Sequence, residues 1–362
     1  MAGTDKGFLH FMSQNTPMDL QLKELNINSN YYDIESLQNV SDVEEEFQYI
    51  ALHINIHSIP DKLHKLKNIL SRLRDVNIKV HFILLCETFL NEYNKSMCDL
   101  PGYKLVPESR KQMTKGGVAL YISDEFDFKQ RHDISATYEG EFETVFVEIV
   151  DKNKTLIVGE IYRIPNTNES ISIGRFENVL EQIRKSKPNY CIIGTDQNFD
   201  YMKVNSHNNT LSLFNCFLSA EMIPTITKPT RIVHKSATLI DNIYVRCDVS
   251  RVFSAILLSD ISDHLPVLTC TGKKPRQSKT PLVFSYRPLN ELNIGLIKDS
   301  LSNTNWDNLQ NLSTNDAYNS LLQTLNKIID THAPVKTSRI SSKCILREPW
   351  IYPRYSQIMH LS

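Results

Sequence analysis

The chain has 362 residues and a hydrophobic fraction of 41%, with 40 Lys and Arg against 41 Asp and Glu. This length predicts one large domain with appendages, or two ordinary domains, and enough apolar residues for a sizeable core. A net charge of −1 excludes the global basic signature of a nucleic-acid binder, although basic residues predominate after residue 272. Seven cysteines, an odd number without C-x-x-C spacing, argue against a disulfide framework and against a zinc site.

The sequence predicts neither a secretory signal peptide nor a membrane-spanning segment. Residues 1–6 (MAGTDK) are not followed by the apolar core of a signal peptide, and no run of about 18 apolar residues occurs. We therefore expect a protein of the nucleus or the cytoplasm that is not secreted and has no membrane partner.

Composition divides the chain into four predicted segments. Residues 1–46 are polar and close in an acidic run, which predicts a disordered or loosely attached segment. Residues 47–272 contain most of the apolar runs and form the predicted domain. Residues 273–288 predict a basic linker, and residues 289–362 a helical segment that begins with two or three amphipathic helices.

Within residues 47–272, β-prone apolar runs outnumber helical patterns. A buried strand over 47–56 precedes a helix that opens at Pro60-Asp61, and a second buried strand covers 79–86. Further strands are predicted at 117–122, 143–150, 155–162, 190–194, 239–246 and 253–258, and helices at 171–186 and 209–219. The later strands come in hairpin-like pairs, so the sheets must be mixed. This pattern favours a four-layer α/β sandwich, in which helices flank two packed mixed β-sheets, over a doubly wound Rossmann sheet.

Polar side chains recur where the predicted strands end. They are Asn55, Glu87, Asp196, Asn198, Asp241 and the adjacent pair Asp263-His264. An unpaired buried carboxylate is costly, and metal coordination removes that cost. Carboxylate and amide oxygens suit Mg²⁺, whereas the lack of cysteine ligands disfavours zinc. A histidine beside a carboxylate is the commonest acid–base centre near neutral pH.

Each of these residues also has an ordinary structural explanation. Asn55 can cap the following helix, Glu87 can cap a turn, and residues 196–198 can form an Asx-rich turn. Asp241 can be a solvated strand end, residues 162–163 an edge strand, and residues 263–264 a surface turn. These explanations are reasonable one at a time, but all of them would have to coincide with strand ends between residues 55 and 264.

Eight short motifs follow one another along this region. They are Asn55, LCET at 85–88, GGVA at 116–119, IYRIP at 161–165, DQN at 196–198, PTR at 229–231, TLIDNI at 238–243 and SDH at 262–264. This ordered set resembles the endonuclease/exonuclease/phosphatase superfamily. More closely, it resembles the endonuclease domain of non-LTR (LINE-type, jockey-like) retrotransposon proteins, over about residues 47–272.

The C-terminal part has a resemblance of its own. Trp306, HAPVK at 332–336 and PWI at 349–351 resemble the connector between endonuclease and reverse transcriptase in such proteins. This implies that the chain is truncated before the RNA-directed DNA polymerase.

The resemblance implies metal-binding and acid–base roles for five residues. Glu87 would bind Mg²⁺ directly, with Mn²⁺ as the alternative ion, and Asn55 and Asp263 would complete or support the metal shell. His264, oriented by Asp241, would contact the scissile phosphate and help to activate water. The Asp241 carboxylate would raise the pKa of His264 and stabilise its charged form.

The resemblance also implies roles in positioning water and substrate. Asp196 would position or deprotonate the attacking water, and Asn198 would fix the phosphate or the aspartate. Tyr162 would hydrogen-bond a phosphate oxygen. Thr230, Arg163 and Arg231 would contact the substrate, the two arginines at the DNA backbone.

Two positions depart from the pattern of the resembled family. Where that family has G-D-F-N, this chain has GTDQN at 194–198, so that Thr195 is inserted while the D-x-N spacing survives. His57 stands where relatives commonly have arginine.

The leading hypothesis is a Mg²⁺-dependent DNA endonuclease that nicks phosphodiester bonds, as in target-site cleavage by retrotransposon proteins. The partners of such an endonuclease would be DNA and also the RNA of the retrotransposon, or a full-length retrotransposon protein that acts in trans. One alternative is a phosphatase acting on a small or lipid phosphoester, because the same scaffold supports that chemistry. Another is an inactive element remnant that binds DNA without turnover.

Overall fold

The computed structural model describes residues 16–22, 25, 27–40, 47–108, 110, 115–151, 154–233, 236–246, 252–272, 282–287 and 291–340. Contacts divide the chain into two compact units, Met1–Arg276 and Gln277–Ser362.

The first unit is built from strands with four α-helices between or before them in the described residues. The strands are β1 (Asn30–Tyr32), β2 (Tyr49–Asn55), β3 (Phe82–Cys86), β4 (Tyr103–Glu108), β5 (Val118–Ser123), β6 (Phe128–Gln130), β7 (Thr137–Tyr138), β8 (Phe142–Asp151), β9 (Lys154–Arg163), β10 (Tyr190–Asp196), β11 (Ile223–Pro224), β12 (Arg231–Val233), β13 (Ser236–Thr238), β14 (Asp241–Arg246), β15 (Val252–Leu257) and β16 (Val267–Thr271). The helices are α1 (Pro17–Gln21), α2 (Ile59–Asp75), α3 (Glu169–Ser186) and α4 (Asn208–Ser219), and short 3₁₀ helices cover Ile34–Asn39, Lys95–Met97 and Tyr201–Lys203.

The described strands of the first unit form two mixed seven-stranded sheets and one small hairpin. The first sheet has the order β1-β15-β16-β2-β3-β5-β4, and the second the order β11-β14-β10-β9-β8-β6 with β7 also paired to β8. Strands β2 and β3 of the first sheet contact β10 of the second, and β3 and β5 contact β9, so the two sheets pack face to face. Strands β12 and β13 pair only with each other.

Helices cover the outer faces of both sheets. The apolar side of α2 places Leu66, Leu70 and Leu73 in one buried cluster with Leu52 and Leu85 of the first sheet. Ser58 caps this helix by accepting from the backbone N–H of Asp61. On the second sheet, Phe176 of α3 packs edge-on against Phe142 at a ring distance of 4.9 Å, and Phe217 of α4 stacks on Tyr244 at 3.6 Å. The predicted α/β sandwich of two packed mixed sheets is confirmed.

Strand direction places the predicted site. Strands β2 and β3 run parallel, with Asn55 paired to Cys86, and in the other sheet β9 and β10 run parallel, with Tyr162 paired to Asp196. Strand β14 runs antiparallel to β10, so that its first residue, Asp241, lies beside Asp196. The polar residues that end these strands therefore lie at neighbouring edges of two packed sheets.

The segment before residue 47 differs from the prediction where the structure describes it. Strand β1 pairs in parallel with β15 in the register Asn30 to Ala255. Ile34 and Leu37 are buried in the cluster that also contains α2. The expected loose attachment does not hold for residues 30–39, because a few apolar residues within a polar segment are enough to bind it to the sheet. Residues 1–15 and 41–46 lie outside the described residues.

The second unit contains the predicted helices. These are α5 (Glu291–Ser302) and α6 (Thr314–His332), with a 3₁₀ helix at Asp307–Asn311 between them. Strand β17 (Leu282–Tyr286) pairs antiparallel with β18 (Lys336–Ile340). Neither these helices nor any other described helix has the length and apolar content needed to cross a membrane.

The predicted linker at 273–288 is partly replaced by structure. Residues 282–286 (LVFSY) are β-prone and find a partner in β18, so they form a strand. The basic cluster at 273–279 and the PWI motif at 349–351 lie outside the described residues.

Candidate active site

Three of the predicted residues meet where β2, β3 and β10 end. Asn55 donates from Nδ2 to Glu87 Oε1 and to Asp196 Oδ2, each at 2.9 Å. Asn55 and Asp196 are buried, whereas Glu87 directly follows β3 and is partly exposed. The structure thus brings one amide and two carboxylates into direct contact, although they are far apart in the sequence.

Tyr162 of β9 lies beside this cluster, and Asn198 lies in the turn that follows β10. The Tyr162 hydroxyl donates to Glu87 Oε1 at 3.0 Å. Burial, together with the nearby charges of Glu87 and Asp196, raises the pKa of Tyr162, so this hydroxyl stays protonated and remains a donor. Asn198 has a left-handed backbone (φ 50°) and donates from Nδ2 to the Arg163 carbonyl at 2.7 Å. This bond anchors the turn that follows Asp196.

Asp241 and His264 form a buried pair. The Nδ1 atom of His264 lies 2.9 Å from both carboxylate oxygens of Asp241. The turn that carries His264 is fixed to the end of β2, because Ser262 Oγ donates to the Asn55 carbonyl at 2.7 Å and accepts from the His264 backbone N–H at 3.1 Å. The structure therefore gives His264 the expected partner, Asp241, rather than its neighbour in sequence.

The charges of these groups depend on one another. Burial disfavours the protonated form of His264, but the carboxylates of Asp241, Asp196 and Asp263, led by Asp241, together outweigh this effect and raise the pKa of His264 to about 9. Burial likewise opposes ionisation of Asp241, but the charge and hydrogen bond of His264 hold the pKa of Asp241 well below its usual range. Burial and the nearby Asp241 charge raise the pKa of Asp196 to about 7. The pair is thus an ionised Asp–His couple beside a carboxyl group that titrates near neutrality.

Asp263 and Arg231 form an ion pair at the surface of this site. Arg231 donates from Nε and Nη2 to Asp263 Oδ2, at 2.9 and 2.8 Å. Both side chains are about half exposed. Asp263 therefore has an arginine partner here, and its expected role in the metal shell stays a prediction.

Arg163 and Thr230 differ from the expectation that they contact substrate. The Arg163 side chain is buried and donates to Ser172 Oγ (3.1 Å), the Asn198 carbonyl (3.1 Å) and the Thr167 carbonyl (2.8 Å). Thr230 is fully buried, and its hydroxyl donates to Asp241 Oδ2 at 2.6 Å. Arg163 thus stabilises the turn after β10, and Thr230 orients Asp241. Sequence alone could not reveal this, because a motif does not show which way its side chains face.

We expect the two arginines to differ in their effect on stability. Arg163→Met should lower the free energy of unfolding by about 2–3 kcal/mol, because buried acceptors lose their donors. Arg231→Met should change it by less than about 0.5 kcal/mol, because it breaks only an exposed ion pair. Urea denaturation followed by circular dichroism measures both values. Equal stability of the two variants would contradict the buried, structural role of Arg163.

The two departures from the pattern of the resembled proteins are accommodated locally. Thr195 continues β10 without a bulge, pairing with Asn242 on one side and Ile161 on the other, so the inserted residue leaves Asp196 at the strand end. His57 has a left-handed backbone (φ 49°), and its Nδ1 lies 3.3 Å from Glu87 Oε2. An imidazole thus takes a position beside the candidate metal-binding carboxylate.

Two residues that the sequence motifs do not contain, His53 and Glu160, lie behind Asp241. His53 Nδ1 is 3.1 Å from Glu160 Oε2, and His53 Nε2 is 3.5 Å from Asp241 Oδ1. Both residues are fully buried between the sheets. A signal was present in the sequence, because His53 lies two residues before Asn55 and Glu160 two before Tyr162, and alternate strand residues face the same side.

The oxygen atoms of the site fit a divalent cation. Asn55 Oδ1 and Asp196 Oδ1 are buried and have no hydrogen-bond partner among the described residues. Buried acceptors without donors are costly, and hard oxygen ligands are those that Mg²⁺ or Mn²⁺ prefers. The residues present can therefore hold such an ion.

Several solved structures are similar to this chain. The endonuclease domain of TRAS1, a telomere-specific non-LTR retrotransposon, matches at 13% identity and a TM-score of 0.48, covering 64% of this chain and 100% of its own. An AP endonuclease from Archaeoglobus fulgidus matches at 12% identity and a TM-score of 0.45, covering 62% and 99%. An endonuclease/exonuclease/phosphatase family protein from Bacteroides thetaiotaomicron matches at 12% identity and a TM-score of 0.44, covering 62% and 95%. No family model and no curated protein matches the sequence.

Proposed function

We propose that the first unit is a Mg²⁺-dependent phosphodiesterase that nicks DNA. The observation that carries this proposal is the contact of Asn55 with both Glu87 and Asp196, directly beside the buried Asp241–His264 pair. Phosphodiester hydrolysis requires neutralisation of developing negative charge, a positioned water and donors to the phosphate oxygens. The site contains residue types for all three tasks.

Glu87 and the unpartnered Oδ1 of Asn55 are the candidate metal ligands. A bound divalent cation would neutralise charge on the phosphate. Asp263 could bind the cation only after its ion pair with Arg231 is broken. We therefore regard Asp263 as a weaker candidate metal ligand than Glu87. Mn²⁺ would bind the same hard oxygen donors.

His264 and Tyr162 supply hydrogen-bond donors. The bond to Asp241 engages Nδ1 of the charged imidazole, which leaves Nε2–H as the second donor, suited to a phosphate oxygen. The protonated Tyr162 hydroxyl, which donates to Glu87 here, can instead donate to a phosphate oxygen, so that the number of its hydrogen bonds stays the same. Both groups stabilise negative charge, which increases in the transition state.

Asp196 is the candidate for positioning and deprotonating the attacking water. It is buried at the centre of the cluster, and its Oδ1 has no partner among the described residues. Its pKa of about 7 suits a general base that works near neutral pH.

DNA as the substrate follows from the resemblance to retrotransposon endonucleases, and the half-exposed Arg231 beside the site suits a phosphate backbone. Target-site cleavage, nuclear localisation and an element RNA or full-length element protein as partner are finer proposals from the same resemblance.

A nicking assay tests this function. Purified protein is incubated with supercoiled plasmid in Mg²⁺, in Mn²⁺ and in EDTA, and the Asp196→Ala variant is assayed in parallel. We expect relaxed circles with the wild type in either metal ion, none in EDTA and none with the variant. Intact plasmid in both metal ions would refute the proposal, and equal nicking by the variant would show that the activity does not come from this site. Phosphate release from inositol phosphates without nicking would favour the phosphatase alternative.

A further inference from the structure

A row of four buried ionisable side chains runs through the interface between the sheets. It passes from Glu160 through His53 and Asp241 to His264, with nitrogen–oxygen distances of 3.1, 3.5 and 2.9 Å. The first three residues are almost completely inaccessible. Only the last two belong to the catalytic set of the proposed function.

Hydrogen-bonding rules fix one direction within this row. An ionised Asp241 carboxylate can only accept, so His53 Nε2–H donates to Asp241 Oδ1. His53 Nδ1 and Glu160 Oε2, 3.1 Å apart, share one proton between them, and burial raises the pKa of Glu160. His53 therefore bridges the two buried carboxyl groups and places a second donor, besides His264, against Asp241.

The strands hold this row in place. His53 belongs to β2 and Glu160 to β9, so the pair links the first sheet to the second. Thr230 holds the other carboxylate oxygen of Asp241 at 2.6 Å. Asp241 is thus approached from the core by His53 and Thr230 and from the site by His264, which leaves its carboxylate one orientation.

We propose that His53 and Glu160 are positioning residues, which hold the Asp241 carboxylate in the orientation in which His264 presents Nε2–H to the substrate. This role rests on the proposed phosphodiesterase function. Neither residue touches the reacting atoms.

Zinc is the competing occupant of this region. Ligand atoms of His53, Cys86 and Glu160 lie within 4.8 Å of one another, and such atoms can bind that ion. The hydrogen-bond distance between His53 Nδ1 and Glu160 Oε2, together with the second contact of His53 to Asp241, favours a hydrogen-bonded row over a metal site.

The test compares three variants with a matched control. His53→Gln and Glu160→Gln each remove one member of the row. Either can fail to fold because it leaves a buried ionisable group without its partner, so the double variant His53→Leu/Glu160→Leu removes both groups together. His81→Gln is the control, because His81 also faces a glutamate (Nε2 to Glu125 Oε1, 3.4 Å) but precedes β3, at the strand end opposite Glu87.

Two readouts are measured on each folded variant. The first is the proton signal of His264 Nδ1–H in ¹⁵N-histidine-labelled protein, in EDTA and without DNA, identified by its loss in His264→Gln. We expect this downfield signal to shift or disappear in the row variants and to stay in His81→Gln. The second is plasmid nicking, in which we expect kcat to fall about 10–100-fold with KM unchanged, as for other partners that orient a functional histidine.

An unchanged signal or an unchanged kcat in the folded double variant would overturn the positioning role. One equivalent of zinc in the purified wild type, lost in His53→Gln, would overturn it as well. If the wild type does not nick DNA, the proposed function fails, and the His264 proton signal alone then decides whether His53 and Glu160 orient the pair.

Discussion

His264→Ala is expected to lower the turnover number for plasmid nicking about 10²–10⁴-fold, which is the usual loss when an acid–base group is removed. The imidazole is held by Asp241 at 2.9 Å and by the turn that Ser262 fixes to β2, so its position does not depend on bound substrate. The variant loses the charged donor that faces the phosphate. KM should change little, because most of the affinity for DNA comes from backbone contacts elsewhere.

Two further variants make this result interpretable. His264→Gln replaces the imidazole with a neutral amide donor. If hydrogen bonding to the phosphate matters more than the positive charge, this variant should have a higher turnover number than His264→Ala. His64→Ala, in an exposed position on α2, should nick DNA as fast as the wild type. Full turnover in a folded His264→Ala protein would remove His264 from the catalytic set.

Asp241→Asn is expected to lower the pKa of His264 from about 9 toward its ordinary value of 6.5 or below. The substitution keeps the shape of the side chain but removes the carboxylate charge, so burial, which disfavours the imidazolium, acts with less opposition. An NMR titration of His264 in EDTA measures the change. Nicking should fall about 10²–10⁴-fold as well, because the imidazole loses both charge and orientation.

The same pair predicts how stability depends on pH. The pKa of His264 is raised from 6.5 to about 9 in the folded protein. The interaction of protonated His264 with Asp241 therefore makes its full contribution to the free energy of unfolding below pH 6.5, and this contribution is lost as the pH rises through about 9. The difference in unfolding free energy between wild type and Asp241→Asn should therefore shrink over this window. Urea denaturation in EDTA at several pH values measures it. A difference that stays constant across the window, or a His264 pKa that the substitution leaves unchanged, would contradict the ionised pair.

Much of the fold and the candidate site can be predicted from the sequence, because both depend on strand ends. Apolar runs locate β2, β3, β9 and β10, and each is followed or closed by one of the polar residues Asn55, Glu87, Tyr162 or Asp196. Parallel strands that end together bring such residues to one edge. The fold class follows from the same runs, because hairpin-like pairs require mixed sheets.

The residues that sequence reasoning placed wrongly or missed are those whose role depends on side-chain direction and burial. The sequence suggests that Arg163 binds a phosphate backbone, but its buried guanidinium donates to three acceptors within the protein. His53 and Glu160 lie within apolar runs, where a single polar residue is easily ascribed to a strand edge. Their meaning emerges only when the two sheets face each other and the distances to Asp241 are known.

The parallel pairing of β1 with β15 has a consequence for how this protein can be shortened. A polypeptide that starts at residue 47, where the motifs suggest a boundary, would leave β15 as a bare edge strand with unpaired backbone N–H and C=O groups. It would also uncover the apolar surface that Ile34 and Leu37 protect. An exposed edge strand can pair with strands of other molecules. Self-association of a protein that starts at residue 47 would therefore result from the loss of β1 and of the apolar residues 34 and 37, and would not be evidence about the active site.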